Sequence, residues 1–279
     1  RAGRGLLRAR WPMRAGDGTM RGMSEPVDLI AFASRLGDLP LRLRDAAQPF
    51  AAGDLRGSFS HRPGRPTDVY GSADLVFVLW IVGELESRTT PAGRQEWISR
   101  IQAFQDPETG YFGRGHLAGH GPAHATGFAT AALRLLGAQP AYPFRWAGSL
   151  FGSRERVESW LDSLDWNVVW TGSHGAGTVA ALLDAPSLAT LPRGWEGWVL
   201  DGLSARVDAR TGFWKRGLLD AFFRRPTTLD LGGAAHFWWL YDRLSKPIPS
   251  PRKAIEGILS LQRRTGLWGT RLFNGNFPQ

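Results

Sequence analysis

The chain has 279 residues, of which 43% are hydrophobic and 21% are charged, and it contains no cysteine. This length allows one large core or two small ones. The lack of thiols excludes disulfide bonds and thiolate metal sites and is typical of a reducing compartment, so we expect a cytoplasmic protein. No apolar run reaches the ~20 residues that a membrane-spanning helix requires, and we expect no membrane span.

The formal net charge of +9 is concentrated near the start of the sequence. Residues 1–22 carry six arginines and one acid, Asp17, which makes +5 for this segment and leaves +4 for the rest. We interpret 1–22 as a basic disordered tail or an upstream extension, with a targeting peptide as the alternative. We interpret 23–279 as a single domain, whose modest charge does not indicate a nucleic-acid partner.

Apolar residues recur with the 3.6-residue helical period along this domain, and no strand-like alternation competes with it. In the segment 94–105, for example, Trp97, Ile98, Ile101 and Phe104 lie on one helical face. The pattern predicts an all-α protein. The predicted helices cover 24–37, 41–52, 68–86, 94–105, 124–136, 154–165, 174–184, 195–207, 230–244 and 251–262.

A four-residue signature opens four of these helices: an acid or a histidine, two spacers and a glycine. Successive copies are 56, 50 and 56 residues apart. A period of this length indicates stacked helical hairpins of about 50 residues that bury a shared core. We expect the glycines to allow close helix packing rather than to touch a ligand. The copies are Asp68–Gly71, His124–Gly127, His174–Gly177 and Asp230–Gly233.

A second recurrent feature is a Thr-Gly pair followed by aromatic residues, at 109–112, 211–214 and 265–268. The segment 253–268 resembles the Gln-Trp repeat of terpenoid cyclases and protein prenyltransferases, and 101–112 is a looser copy. The Asp-x-x-Thr-Gly-aromatic turn is similar to turns of the six-hairpin glycosidases. The resemblance covers roughly residues 24–279 and implies an α/α toroid, in which inner helices surround a central cavity. The spacing of the signatures indicates that the last repeat of this chain is incomplete or degenerate.

The chain departs from these families at the motifs that carry their chemistry. It has neither the Asp-x-Asp-Asp motif of class II cyclases nor the Asp-Asp-x-x-Asp motif of class I synthases. It also lacks the zinc-binding cysteines of protein prenyltransferases and lanthipeptide cyclases. The resemblance therefore implies a fold more specifically than a reaction.

In a toroid, the inner helices begin at one mouth of the cavity. The signature residues Asp68, His124, His174 and Asp230 would then form a polar ring at that mouth. Basic loop residues and helix N-termini would add positive charge there and suit an anionic ligand, such as a uronic sugar or a phosphate. The alternative is that the two aspartates are helix N-caps and the two histidines are structural. The basic residues are Arg62, Arg65, Arg114, Lys215, Arg216, Arg224 and Arg225.

Two titratable residues lie one helical turn further along, within otherwise apolar helices. Asp74 and His236 each follow a signature start by six residues. They would be costly to bury unpaired, so they form either a mutual hydrogen bond or an acid/base pair over a substrate, and we favour the pair. Trp80, Trp238 and Trp239 lie on predicted inner helices, and one or two of them could line the cavity and stack on a sugar or prenyl group, with core packing as the alternative. We select Trp238 as the candidate.

The loop before the second signature is rich in histidine. His116, His120 and His124 are spaced i, i+4, i+8, which on a helix would make a metal-binding face. Glycines and Pro122 interrupt any helix there, so we expect a loop that folds over a ligand and no metal site.

These observations favour a carbohydrate-active hydrolase or lyase that acts on an acidic sugar without a cofactor. One alternative is an isoprenoid-handling enzyme, and another is a non-catalytic binding or scaffold protein. An apolar cavity would favour the isoprenoid alternative, and an open polar cavity with two facing carboxyls would favour the sugar enzyme. The oligomeric state stays open. The predicted catalytic residues are Asp68, Asp74, His124, His174, Asp230 and His236, and the predicted substrate-binding residues are Arg114, Arg216, Arg224 and Trp238.

Overall fold

A computed structural model describes residues 56–115, 117, 119–214, 217 and 226–262, together with positions 42 and 45. All regular elements in this part of the chain are helices, which confirms the all-α class. No described helix is long and apolar enough to cross a membrane. The α-helices are α1 (Val69–Ile81), α2 (Leu85–Arg88), α3 (Pro91–Gln102), α4 (Pro122–Leu135), α5 (Ala147–Phe151), α6 (Arg154–Ser163), α7 (Val169–Gly172), α8 (Ala176–Asp184), α9 (Trp195–Ala205), α10 (Thr228–Arg243) and α11 (Pro251–Leu261), with 3-10 turns at Ser173–Gly175 and Pro186–Leu188.

The helices begin and end within a few residues of their predicted bounds, with one break. The predicted helix 68–86 ends at Ile81, and α2 begins at Leu85. Gly83 lies between them at φ +75°, a left-handed backbone that terminates a right-handed helix. The predicted segments 1–22, 24–37 and 263–279 lie outside the described residues. Only positions 42 and 45 of the predicted helix 41–52 are described, and both are helical.

The four helices that follow the signatures are neighbours in chain order. Helix α1 packs against α4, α4 packs against α8, and α8 packs against α10. Helix α3 contacts both α1 and α4, and α6 contacts α9. The repeat in the sequence is therefore also a repeat of helix positions in space.

Two hydrophobic clusters form the core of the described residues. One is built from α1, α3 and α4 and contains the buried Trp97 and Ile101. The other is built mainly from α5 to α10 and contains the fully buried Phe151, Leu161 and Phe237. Both clusters include residues from the signature helices, so hydrophobic packing holds those helices in place.

The fourth position of each signature lies in backbone-to-backbone contact, which explains its glycine. A Cβ added to Gly127 would lie 2.8 Å from the Cα of Gly177, and a Cβ added to Gly177 would lie 2.8 Å from the Cα of His124. Real Cβ atoms do not approach other atoms this closely. The expectation of close helix packing is confirmed for Gly127 and Gly177, which also line a cavity, and for Gly233, whereas Gly71 contacts a non-helical segment. The other two contacts are Gly71 with the backbone of Ser60 and Gly233 with the backbone of Val169.

The Asp-x-x-Thr-Gly-aromatic segments form the same turn twice. In the first copy, the backbone N–H of Asp106 donates to the carbonyl of Tyr111 (2.8 Å), and the N–H of Gly110 donates to the carbonyl of Asp106 (2.7 Å). Both turn glycines have a positive φ, which few other residues adopt. The second copy repeats these bonds from Asp208 to Phe213 (2.8 Å) and from Gly212 to Asp208 (2.7 Å).

We predict that Gly177→Ala destabilises the protein by about 1–3 kcal/mol, because the added methyl group has to push α4 and α8 apart. Gly197→Ala is the matched control. Gly197 lies within α9 with nothing within 4 Å of an added Cβ. Its replacement should be neutral or stabilising by up to about 1 kcal/mol. Urea unfolding measures both, and equal free energies of unfolding for the two variants would contradict the packing role of Gly177.

Candidate functional site

Four histidine side chains meet near the starts of α4 and α8. The rings of His120 and His124 are stacked with 4.5 Å between their centroids. The His174 ring lies 4.8 Å from His120 and 4.9 Å from His124. The His236 ring lies 5.3 Å from His124 and 5.8 Å from His174. Three of these histidines are predicted site residues, and His120 is brought to them by the loop before α4.

The contact between α4 and α8 explains why two of these residues meet. His124 and His174 each lie three positions before a signature glycine, and those glycines touch. Side chains three residues apart lie on nearly the same face of a helix. Because α4 and α8 touch at Gly127 and Gly177, the preceding histidines lie at the same end of the helix pair.

Hydrogen bonds orient two of the four rings. The Nδ1 atom of His124 lies 2.8 Å from the hydroxyl of Tyr70 on α1. The Nδ1 atom of His236 lies 2.8 Å from the hydroxyl of Ser173. That hydroxyl donates its proton to the carbonyl of Trp170 (2.8 Å), so it accepts the Nδ1–H of His236. This arrangement assigns the proton of His236 to Nδ1 and leaves the lone pair on Nε2.

The other two rings have buried nitrogens without partners. Neither Nδ1 of His120 nor Nε2 of His174 makes a hydrogen bond with any described residue. His120, His124 and His174 each offer a ring nitrogen within 4.8 Å of the other two, a group that could hold a metal ion. The sequence does not predict a metal site, because glycines and Pro122 interrupt any helix that would align His116, His120 and His124. The tertiary structure supplies the third histidine from the turn before α8 instead.

The histidine cluster is uncharged at neutral pH. Burial lowers the pKa of His124 to about 2, and repulsion from the neighbouring imidazoles adds to the shift. Burial likewise lowers the pKa of His174 and of His236 to about 4. Neutral imidazoles act as hydrogen-bond partners, proton acceptors or metal ligands rather than as fixed positive charges.

A cavity of about 370 Å³ lies directly beside this cluster. Its polar side chains are His124, Ser173 and His236, and no carboxylate or guanidinium group from the described residues lines it. The wall consists otherwise of aromatic side chains and of small residues from α4, α8 and α10. The remaining lining residues are Phe77, Gly127, Phe128, Ala131, Ala176, Gly177, Ala180, Ala235 and Trp239.

Two predicted catalytic carboxylates have roles at helix starts. The Asp68 carboxylate accepts the backbone N–H groups of Gly71 (2.8 Å) and His61 (2.6 Å), which confirms the N-cap alternative. The Asp230 carboxylate accepts both the N–H (2.6 Å) and the hydroxyl (2.8 Å) of Thr227 in a capping box. Asp230 is thus the third residue of its helix rather than the cap. Neither carboxylate bonds to a histidine ring within the described part of the chain, and the polar ring at a cavity mouth stays a prediction.

The mutual hydrogen bond between Asp74 and His236 is not formed, and the acid/base pair over a substrate stays a prediction. His236 bonds to Ser173, and Asp74 makes no hydrogen bond with any residue that the structure describes. The two residues lie on α1 and α10, which are separated in the helix order by α4 and α8. Burial, with the nearby charge of Asp68, raises the pKa of Asp74 to about 6. A half-buried carboxyl with this pKa remains a candidate proton carrier.

The structure corrects the predicted aromatic wall. Trp238 packs against Phe213 and Trp214, with ring centroids 5.6 and 6.5 Å away, and it does not line the cavity. The neighbouring Trp239 lines it instead, since consecutive residues on a helix point about 100° apart. Three of the predicted basic residues, Arg62, Arg65 and Arg114, are exposed and do not line the cavity. The others lie outside the described residues, as does His116: Lys215, Arg216, Arg224 and Arg225.

Two contributors to the site are absent from its sequence-based prediction. Tyr70 and Ser173 are ordinary spacer or flanking residues in the sequence, and only the fold brings their hydroxyls to histidine rings. Tyr70 lies within the first signature, two residues after Asp68, which is the one signal that could have drawn attention to it. Trp239 is distinguished from Trp238 only by the rotation of α10.

Comparison with known proteins adds no family to this description. No protein-family model, no curated protein and no solved structure matches the chain. The functional conclusion therefore depends on the cavity and on the groups at its wall.

We predict that Asp74→Asn stabilises the protein above pH 6 and has little effect below pH 4. The folded-state pKa of about 6 exceeds the usual 3.8, so the folded protein binds more protons in this interval and loses stability as the pH rises through it. Asparagine removes that loss, which is worth about 1–3 kcal/mol. The measurement is the difference in unfolding free energy between variant and wild type from pH 4 to 8. A difference that does not change with pH would contradict the raised pKa.

Proposed function

We propose that this chain is an α/α-toroid protein that binds a small, uncharged and largely apolar molecule of isoprenoid type in the cavity beside the histidines. The observation that carries this proposal is the cavity wall, which combines aromatic rings and small aliphatic residues with three polar side chains. Ligand sites of this kind bind through apolar contact and use a few polar groups to orient the ligand. The toroid is supported by the chain-order packing of α1, α4, α8 and α10.

The wall favours the isoprenoid alternative over the acidic-sugar enzyme. A uronic sugar would bring a carboxylate and several hydroxyl groups against apolar walls, at a high cost in desolvation. Glycoside cleavage also requires two carboxyls at a set separation. The described lining has none, because the carboxylates of Asp68 and Asp230 bond to helix starts.

The polar end of the cavity favours an alcohol over a diphosphate. The free Nε2 lone pair of His236 accepts a hydrogen bond, and a ligand hydroxyl can donate it. A diphosphate would need cations or backbone N–H groups, and no described residue of the lining carries a positive charge at neutral pH. The proposed ligand is therefore a prenyl alcohol or a terpenoid with one hydroxyl group.

We predict that geraniol or farnesol raises the melting temperature of the protein and that Ala180→Leu weakens this binding by about tenfold or more. Ala180 lines the cavity, so a leucine side chain would occupy ligand space. Calorimetric titration of both proteins measures the change in affinity. Geranyl diphosphate and an unsaturated uronic disaccharide complete the ligand panel and should give no comparable shift.

The matched control is Ala92→Leu, which adds the same atoms at an exposed position of α3. This variant should bind the alcohol with the affinity of the wild-type protein. Equal affinity for all three proteins would show that the alcohol binds elsewhere, and binding of the disaccharide alone would favour the acidic-sugar enzyme. Either result would overturn the proposal.

A further inference from the structure

Three histidines from two different segments direct ring nitrogens toward one another. The nitrogens of His120, His124 and His174 lie within 4.8 Å of one another. We propose that these three side chains bind a divalent transition-metal ion, with zinc preferred, and leave one coordination position open toward the cavity. This inference goes beyond the proposed function and does not depend on it, because metal binding can be measured without an organic ligand.

The first argument is the unsatisfied polar atoms of the cluster. Nδ1 of His120 and Nε2 of His174 are buried and have no hydrogen-bond partner among the described residues. A buried polar atom without a partner destabilises the folded protein. The two rings have centroids 4.8 Å apart, and each contributes one nitrogen to the three-histidine group, so one metal ion could bind both rings.

The second argument is the orientation of His124. Metal-binding histidines commonly donate their second ring N–H to a protein oxygen, which fixes the ring and its tautomer. The Nδ1 of His124 lies 2.8 Å from the Tyr70 hydroxyl, a contact in which the ring N–H can be the donor. Its Nε2 then carries the free lone pair. Tyr70 is held by α1 and the imidazole by α4, so the contact joins two packed helices.

The third argument is that the geometry can close around an ion. Tetrahedral zinc with Zn–N distances of about 2.0–2.1 Å places its nitrogen ligands about 3.3–3.4 Å apart. From the observed spread of up to 4.8 Å, each nitrogen has to move inward by about 1 Å. His120 can make this movement, because it lies in a loop between Gly119 and Gly121. A Cβ added to either glycine would meet no atom within 4 Å, so the surrounding space is open.

The ligand set selects the class of metal. Three imidazole nitrogens, without thiolate or carboxylate, suit zinc, copper or nickel rather than magnesium or calcium. Three histidines with an open position are typical of catalytic zinc, which lowers the pKa of a bound water to about 7. His124 also lines the apolar cavity, so the open position would lie beside a ligand bound there.

The test is a zinc titration of the full chain after removal of metal with a chelator. Competition with a chromophoric chelator should give one zinc ion per chain. His124→Ala and His174→Ala should each weaken binding by about 100-fold or more, and Tyr70→Phe by about tenfold. His61→Ala is the matched control: His61 is exposed, it is outside the three-histidine group, and its loss should change the affinity less than about twofold.

A readout on the wild-type protein keeps the test decisive if an alanine variant does not fold. X-ray absorption of the zinc-loaded chain should show histidine nitrogens at about 2.0–2.1 Å. A stoichiometry well below one, a zinc ion surrounded mainly by oxygen, or equal losses in His61→Ala and His124→Ala would overturn the proposal. None of these results bears on the alcohol titration, so the two proposals can fail separately.

Discussion

The backbone contact between α4 and α8 is the constraint from which the site follows. Gly127 and Gly177 touch through their main chains, so these helices lie closer together than any pair with side chains at the crossing could. The contact brings His124 and His174 together at one end. Further along the same helices, Ala131 and Ala180 leave the space that becomes the cavity. The same small residues therefore determine both the packing and the volume available to a ligand.

The distribution of polar groups separates structural from chemical roles. The conspicuous carboxylates, Asp68 and Asp230, satisfy N–H groups at helix starts, where buried donors would otherwise be unpaired. No carboxylate in the described part of the chain bonds to the imidazoles, and burial with mutual repulsion lowers their pKa values so that they are neutral at pH 7. A neutral imidazole with a free lone pair can accept a proton or bind a metal. The chemistry of the cavity is thus that of nitrogen lone pairs facing apolar walls.

Much of the fold could be predicted from local sequence. The helices could be predicted because the 3.6-residue period of apolar residues persists over each of them, and the glycine packing because a side-chain-free position recurs at a fixed place. The pairing of Asp74 with His236 could not be judged in this way, because it depends on which helices are adjacent. The choice between Trp238 and Trp239 depends on the rotation of α10, and a change of one residue turns a side chain by about 100°.

The sequence by itself determined the all-α class, the position of the helices and the repeated turns around Gly110 and Gly212. It also placed His124 and His174 near helix starts and His236 within a helix. These properties follow from interactions between residues close together in the chain. Only the tertiary structure decided that His120 joins the cluster, that Tyr70 and Ser173 orient two of its rings, and that the cavity wall is apolar. These properties depend on contacts between residues distant in the chain, whose partners are chosen by how the helices pack.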